Sequence, residues 1–126
     1  MSNEHHLSAL SALSPESVVM VFSNAPDTLT AKRIAHYVVE EGLVACANLG
    51  AASLSMYMWQ GNLEGASEIP LTFKTTVRRI DALLARITQL HPYDVPEVLV
   101  VPVVAGLDTY VRWVQDETAA TPTSKD

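Results

Sequence analysis

Residues 91–97 read His-Pro-Tyr-Asp-Val-Pro-Glu, which places an imidazole, a phenol and two carboxylates in one short segment. Pro92 and Pro96 fix two φ angles and remove two backbone donors, so the segment is a stiff turn rather than a free loop. Stiff polar turns held by a scaffold are common places for binding and catalysis. By type, His91 is a proton carrier or metal ligand and Glu97 a carboxylate donor. A structural reading stands beside this one with equal weight: His91 caps carbonyls at the end of the preceding helix while Tyr93 covers the core.

Elsewhere the chemistry-bearing residues are sparse. Cys46 lies between Ala45 and Ala47; it would serve as a nucleophile with His91 as base, as a soft metal donor, or as a small core residue. His5-His6, His36 with Glu40 four positions on, and the thioethers Met56 and Met58 are the other donors for a soft or borderline ion. Each has a plain alternative as a solvated tail, a solvated helix face or apolar packing. Lys74 ends a strand, where it can meet a ligand or pair with Glu68 or Glu97. There is no glycine-rich phosphate loop, Gly-x-Ser-x-Gly elbow, cysteine pair or His-Glu-x-x-His. The expectation is a protein that is not an enzyme.

One domain must position these groups. The 126 residues carry a net charge of −6 with 48% hydrophobic and 17% charged residues, the profile of a single acidic globular unit. Fourteen acidic against eight basic side chains argue against nucleic acid or an anionic membrane as partner. One cysteine excludes an internal disulfide. Leu7, Leu10 and Leu13 do not make a signal peptide, because the first basic residue is Lys32 and serines dilute the leucines. Residues 1–16 are therefore expected to be a flexible tail, residues 17–117 the domain and residues 118–126 a second flexible tail. Without an apolar run of about 20 residues, the expected location is the cytoplasm.

The apolar periodicity supplies the elements. Ser17–Ser23 reads as a buried strand. Ala31, Ile34, Ala35, Val38 and Val39 repeat as one face of a helix that starts near Asp27 and closes at Gly42. Val44–Leu49 and Leu54–Gln60 are strands, Gln60-Gly61-Asn62 carries hairpin chemistry, and the chain returns through Glu68–Thr76. Pro70 cannot donate to a ladder, so that strand must lie at an edge there or break its regularity. A second helix carries Ile80, Leu83, Leu84 and Ile87 inward and ends before Pro92. A last strand, Val98–Val104, precedes a short helix with Tyr110, Trp113 and Val114. The order β-α-β-β-α-β plus a helix is that of an α+β, ferredoxin-like sandwich. Its hairpin bears Leu54, Met56, Tyr57, Met58 and Trp59, too much apolar surface for a monomer, so a symmetric oligomer is expected.

Ala45-Cys46-Ala47-Asn48, Tyr57-x-Trp59-x-Gly61, Lys74-Thr75, His91-Pro92-Tyr93-x-x-Pro96-Glu97 and Tyr110-x-x-Trp113 occur in the order typical of the CutA family. Over about residues 17–116 the chain resembles that family. The resemblance implies a divalent-cation (copper) tolerance protein, built as a homotrimer of ferredoxin-like subunits similar to the PII-like signalling trimers. Copper-ligand proposals for the family involve a cysteine at the end of the first strand and adjacent histidines before Pro-Tyr. Here those positions hold Ser23 and Leu90-His91. The candidate metal ligands are then His91, with Cys46 and Glu97. Trp59, Lys74 and Tyr93 would line a ligand pocket between subunits. No cofactor is required, and the ion implied is copper or another divalent cation. The alternative is a PII-like trimeric module that binds a small ligand or a partner protein without ligating metal.

Overall fold

The computed structural model describes residues 10–119. Strand β1 (Val18–Ala25) leads into helix α1 (Thr28–Glu40), followed by β2 (Cys46–Leu49), β3 (Ser53–Trp59), β4 (Asn62–Thr76), α2 (Ile80–Leu90), β5 (Leu99–Pro102) and α3 (Asp108–Glu117). The body is an antiparallel sheet in the order β2-β4-β1-β5, with β3 paired to the outer half of β4. This is the expected α+β, ferredoxin-like arrangement with an added helix.

Helix α1 forms because Asp27, extended at φ −158°, accepts the Thr30 amide at 2.7 Å and so caps the first turn. Its buried residues are Ala31, Ile34 and Val38. Val39, expected inside, points to solvent, and Tyr37 takes its place against the core beneath the Arg86 guanidinium, 4.9 Å from the ring centre. Helix α2 buries Ile80, Leu83, Leu84, Ile87 and Leu90, and ends where His91 turns extended before Pro92. Both helices cover one face of the sheet, meeting Val19, Val21, Leu71 and Phe73 in a continuous apolar core.

The opposite sheet face carries Met20, Phe22 and Asn24 from β1, Thr72 and Lys74 from β4, and Cys46 and Asn48 from β2, as the pairings Met20↔Lys74 and Cys46↔Lys74 require. Helix α3 covers one end of this face, where Val114 packs with Val18 and Ala45. Leu99 and Val101 of β5 stay exposed beside it.

Strand β4 is central rather than peripheral, and Pro70 marks the place where it changes partner. Its inner half pairs with β2 as far as Leu49↔Leu71, and its outer half pairs with β3 from Ser53↔Glu68. The Gly50 amide donates to the Pro70 carbonyl at 2.9 Å, and a Cβ on Gly50 would come within 2.8 Å of the proline ring. Only glycine permits that approach. Beyond this point residues 53–68 form a two-stranded arm, closed by Gln60 and Gly61 at φ 50° and 82°. Gln60 thus takes a left-handed position beside the glycine.

Within the spans expected as tails, the described residues make contacts with the body. Leu10 and Leu13 pack against the core, Arg78 pairs with Glu16, and Thr118 is buried with its hydroxyl on Thr76 and the Val114 carbonyl. His5 and His6 lie outside the described residues.

Candidate functional site

His91 is held by both ring nitrogens. Nε2 lies 2.6 Å from the Asn24 carbonyl at the end of β1, and Nδ1 lies 3.2 Å from the Tyr93 backbone nitrogen. A carbonyl only accepts and an amide N–H only donates, so Nε2 carries the proton and Nδ1 uses its lone pair on Tyr93. The residue is 6% exposed, which leaves no free lone pair for an ion. His91 therefore ties the turn to the sheet: it fixes the first residues after α2 against β1. It does cap a carbonyl, as the structural reading expected, but that carbonyl belongs to the strand and not to the helix.

The turn continues along the edge of the open sheet face. Tyr93 stacks on His91 with ring centres 4.7 Å apart and donates its hydroxyl to Glu68 at 3.0 Å. Burial, then the hydrogen bond and the charge of Glu68, push its phenol above the usual tyrosine range. Glu97 accepts the Asn24 side-chain amide at 2.8 Å. Asn24 thus holds both ends of the turn, His91 through its backbone and Glu97 through its side chain.

Between this turn and the arm lies an open cleft of 880 Å³. The arm supplies Tyr57 and Trp59 from β3 with Glu64 and Glu68 from β4, all on one face because Tyr57 stands opposite Glu64 and Trp59 opposite Asn62. The turn supplies Tyr93, Asp94 and Glu97. No Lys, Arg or His lines it. The other face of the arm is apolar: Leu54, Met56, Met58 and Leu63 stand there with 63–68% of their surface exposed, and Met56 also reaches the cleft, as Val95 does from the turn.

The expected site residues therefore separate into two places. Trp59, Tyr93 and Glu97 meet at the cleft. Lys74, expected with Trp59 and Tyr93 in a pocket between subunits, does not line this cleft within one copy: it lies six residues further along β4 from Glu68 and binds the Asn48 side-chain oxygen. At about 3.3 Å per residue that is roughly 20 Å. Cys46 stands opposite Lys74 and away from His91, with Sγ 3.8 Å from the Tyr110 hydroxyl and 3.9 Å from the Asn48 oxygen. Burial, then the bond to Cys46, raises the Tyr110 phenol. No Cys46–His91 dyad exists, and no group of three or more His, Cys, Asp or Glu among the described residues is close enough to hold a metal ion. Ser23 is buried on the helix-facing side of β1, opposite to the cleft side that Asn24 faces. His36 pairs with Glu40 at 3.2 Å on an exposed helix face.

Glu64 is not singled out from the sequence, Tyr57 reads there as hairpin surface, and Asp94 reads as one of the two carboxylates of the 91–97 turn. Strand alternation around a two-residue turn could have put Tyr57, Trp59 and Glu64 on one face.

The sequence matches the family model described as "CutA1 divalent ion tolerance protein" over residues 19–117. This chain belongs to the CutA1 family. A divalent-cation tolerance protein CutA of Citrobacter koseri is 44% identical over 99 residues, covering 79% of this chain and 85% of that protein. The one from Pectobacterium atrosepticum is 40% identical over 95 residues, covering 75% and 86%. Among solved structures, CutA from Xylella fastidiosa superimposes with a TM-score of 0.79 at 37% identity, covering 81% of this chain and 98% of that one. CutA1 from Oryza sativa gives 0.81 at 31% identity, covering 83% and 96%. The CutA1 fold accounts for the whole body, the arm and α3. Among the described residues no helix is long and apolar enough to cross a membrane.

Proposed function

We propose that this CutA1 protein serves divalent-cation tolerance in the cytoplasm as a non-enzymatic homotrimer, with the apolar face of the arm as the contact between copies. The observation that carries the reading is the arm itself. An isolated two-stranded hairpin is marginal in water, and this one presents four large apolar side chains to solvent along residues 53–68. A neighbouring copy is the economical cover, and the family's trimeric habit sets the number. Light scattering at micromolar concentration is expected to return three times the 13.7 kDa of one chain. A single-chain mass overturns the assembly.

For the ion, the reading moves from His91 to Cys46. The His91 lone pair is engaged and three donors do not meet within the described residues of one copy, so copper or another divalent cation would be met by donors from more than one copy. Cys46 is the soft donor each contributes. Calorimetric titration of copper and zinc into the full chain carrying His5→Ala and His6→Ala tests this. Stoichiometric binding should persist with His91→Ala and disappear with Cys46→Ser. The reverse pattern overturns the assignment, and no binding in any variant makes the tolerance role indirect.

A further inference from the structure

We propose that the cleft between the arm and the 91–97 turn is a binding site for a small organic polycation, of the linear polyamine class. The proposal does not depend on metal binding, since the cleft is built within one chain, from β1, the arm and the turn.

The cleft is a cavity with three aromatic walls, and its chemistry selects one kind of guest. Glu64, Glu68, Asp94 and Glu97 give it a uniformly negative lining with no basic side chain to offset them, so an anion is excluded and a cation favoured. Glu68 and Glu97 each accept a hydrogen bond from a neutral donor, Tyr93 and Asn24, which fixes them in place. Glu64 and Asp94 make no hydrogen bond or ion pair within the described residues and line the cleft from the arm and from the turn. A bare divalent ion needs several oxygens converging at 2.0–2.6 Å or so. The carboxylates here are spread along the cleft, and no such group of donors exists.

The walls decide between a hydrated ion and an organic one. Trp59, Tyr57 and Tyr93 stay half-exposed, and Trp59 and Tyr57 project from the same strand face two residues apart. Aromatic faces attract alkylammonium groups through the ring quadrupole and cover the methylenes between them. Spread carboxylates separated by aromatic surface match ammonium groups separated by methylene segments. The stiffness of the turn helps, because it is held by two prolines and by His91, and the entropy lost in ordering that wall on binding is correspondingly small.

Spermidine titrated into the full-length protein at low ionic strength, followed by calorimetry and by tryptophan fluorescence, tests the proposal. Saturable binding with one site per chain is expected. Glu64→Gln combined with Asp94→Asn should weaken it at least tenfold, and Trp59→Leu should weaken it about fivefold and abolish most of the fluorescence change. Light scattering on each variant checks that the assembly is unaltered. Magnesium at equal charge concentration should compete poorly, since it gains nothing from the aromatic walls. Non-saturable binding, affinity unchanged in both variants, or displacement by magnesium as effective as by a second amine would each overturn the proposal. None of these results bears on whether the chain forms a trimer or binds copper at Cys46.

Discussion

Phe73, Ile34 and Ile87 in the body have no exposed surface, whereas Leu54, Met56, Met58 and Leu63 on the arm keep well over half of theirs. The two regions share one strand, β4, whose residues up to Glu68 belong to the arm and whose residues from Ile69 onward belong to the body. The same backbone therefore passes from a core closed within one copy to a place where an entire apolar face is open. The body folds for its own sake. The arm is made to meet something else, and its two faces differ in what they can meet: one is apolar and suited to another protein surface, the other acidic and aromatic and suited to a cation.

Truncating the body should give the largest effect. Phe73→Ala removes a fully buried ring at the centre of the sheet, and such changes cost about 3–5 kcal/mol. Urea denaturation should show the loss as a lower midpoint at unchanged slope. A loss below about 1 kcal/mol would mean that the body draws its stability from assembly, which would erase the distinction between the two regions.

The arm should respond differently. Met58 and Leu63 stand opposite each other, and Met58→Glu with Leu63→Glu puts like charges where the apolar contact is expected. Full burial of such side chains contributes about 1.5–3 kcal/mol each. The expected outcome is a fall in mass from three chains to one, with the far-ultraviolet spectrum of the body retained. A trimer that survives both charges would move the interface to the exposed residues of the open sheet face, such as Leu99, Val101 and Tyr110.

How much of this was legible in the sequence divides along the same line. Alternation and helical periodicity are local signals, and they locate the strands, the helices and the core face of β1 and β4. Pro70 announced an irregularity, and the structure shows its form, a change of partner at Gly50. The helix stripe was slightly misplaced because Tyr37 gains more from packing beneath Arg86 than Val39 would. The site was harder to read. His91 looks the same in a sequence whether it ligates a metal or holds a turn, and what decides is a carbonyl 67 residues away. Lys74 and Trp59 belong to opposite ends of a 15-residue strand system, a distance that motif order conceals. The cleft joins residue 24 to residues 55–68 and 93–97, and only the folded register brings them together.

A smaller test returns to the body. Thr75 is fully buried, directly after Lys74 on β4, and donates its hydroxyl to the Leu43 carbonyl at 2.7 Å. Thr75→Val keeps the shape and strands the acceptor, so about 1–3 kcal/mol should be lost. If the body is autonomous, the loss should be equal in the wild-type background and in the Met58→Glu, Leu63→Glu background, since the sites share no partner. Unequal losses would show that assembly reaches into the core through β4.

The smallest expected effect probes the same autonomy by pH. The Thr30 amide bonded to the Asp27 carboxylate, and then the Thr30 side chain, hold this carboxyl below its ordinary value of 3.8. A carboxyl lowered on folding stabilises the fold fully above its unfolded value and loses that contribution as pH falls through the folded one. Asp27→Ala should therefore lower the melting temperature near neutral pH, and the gap between variant and wild type should close as the pH is taken below 3.8. Because the cap lies within α1, the closing should follow the same curve at every protein concentration. A curve that shifts with concentration would place the start of α1 under the control of the assembly, and the boundary between body and arm would then have to be drawn elsewhere.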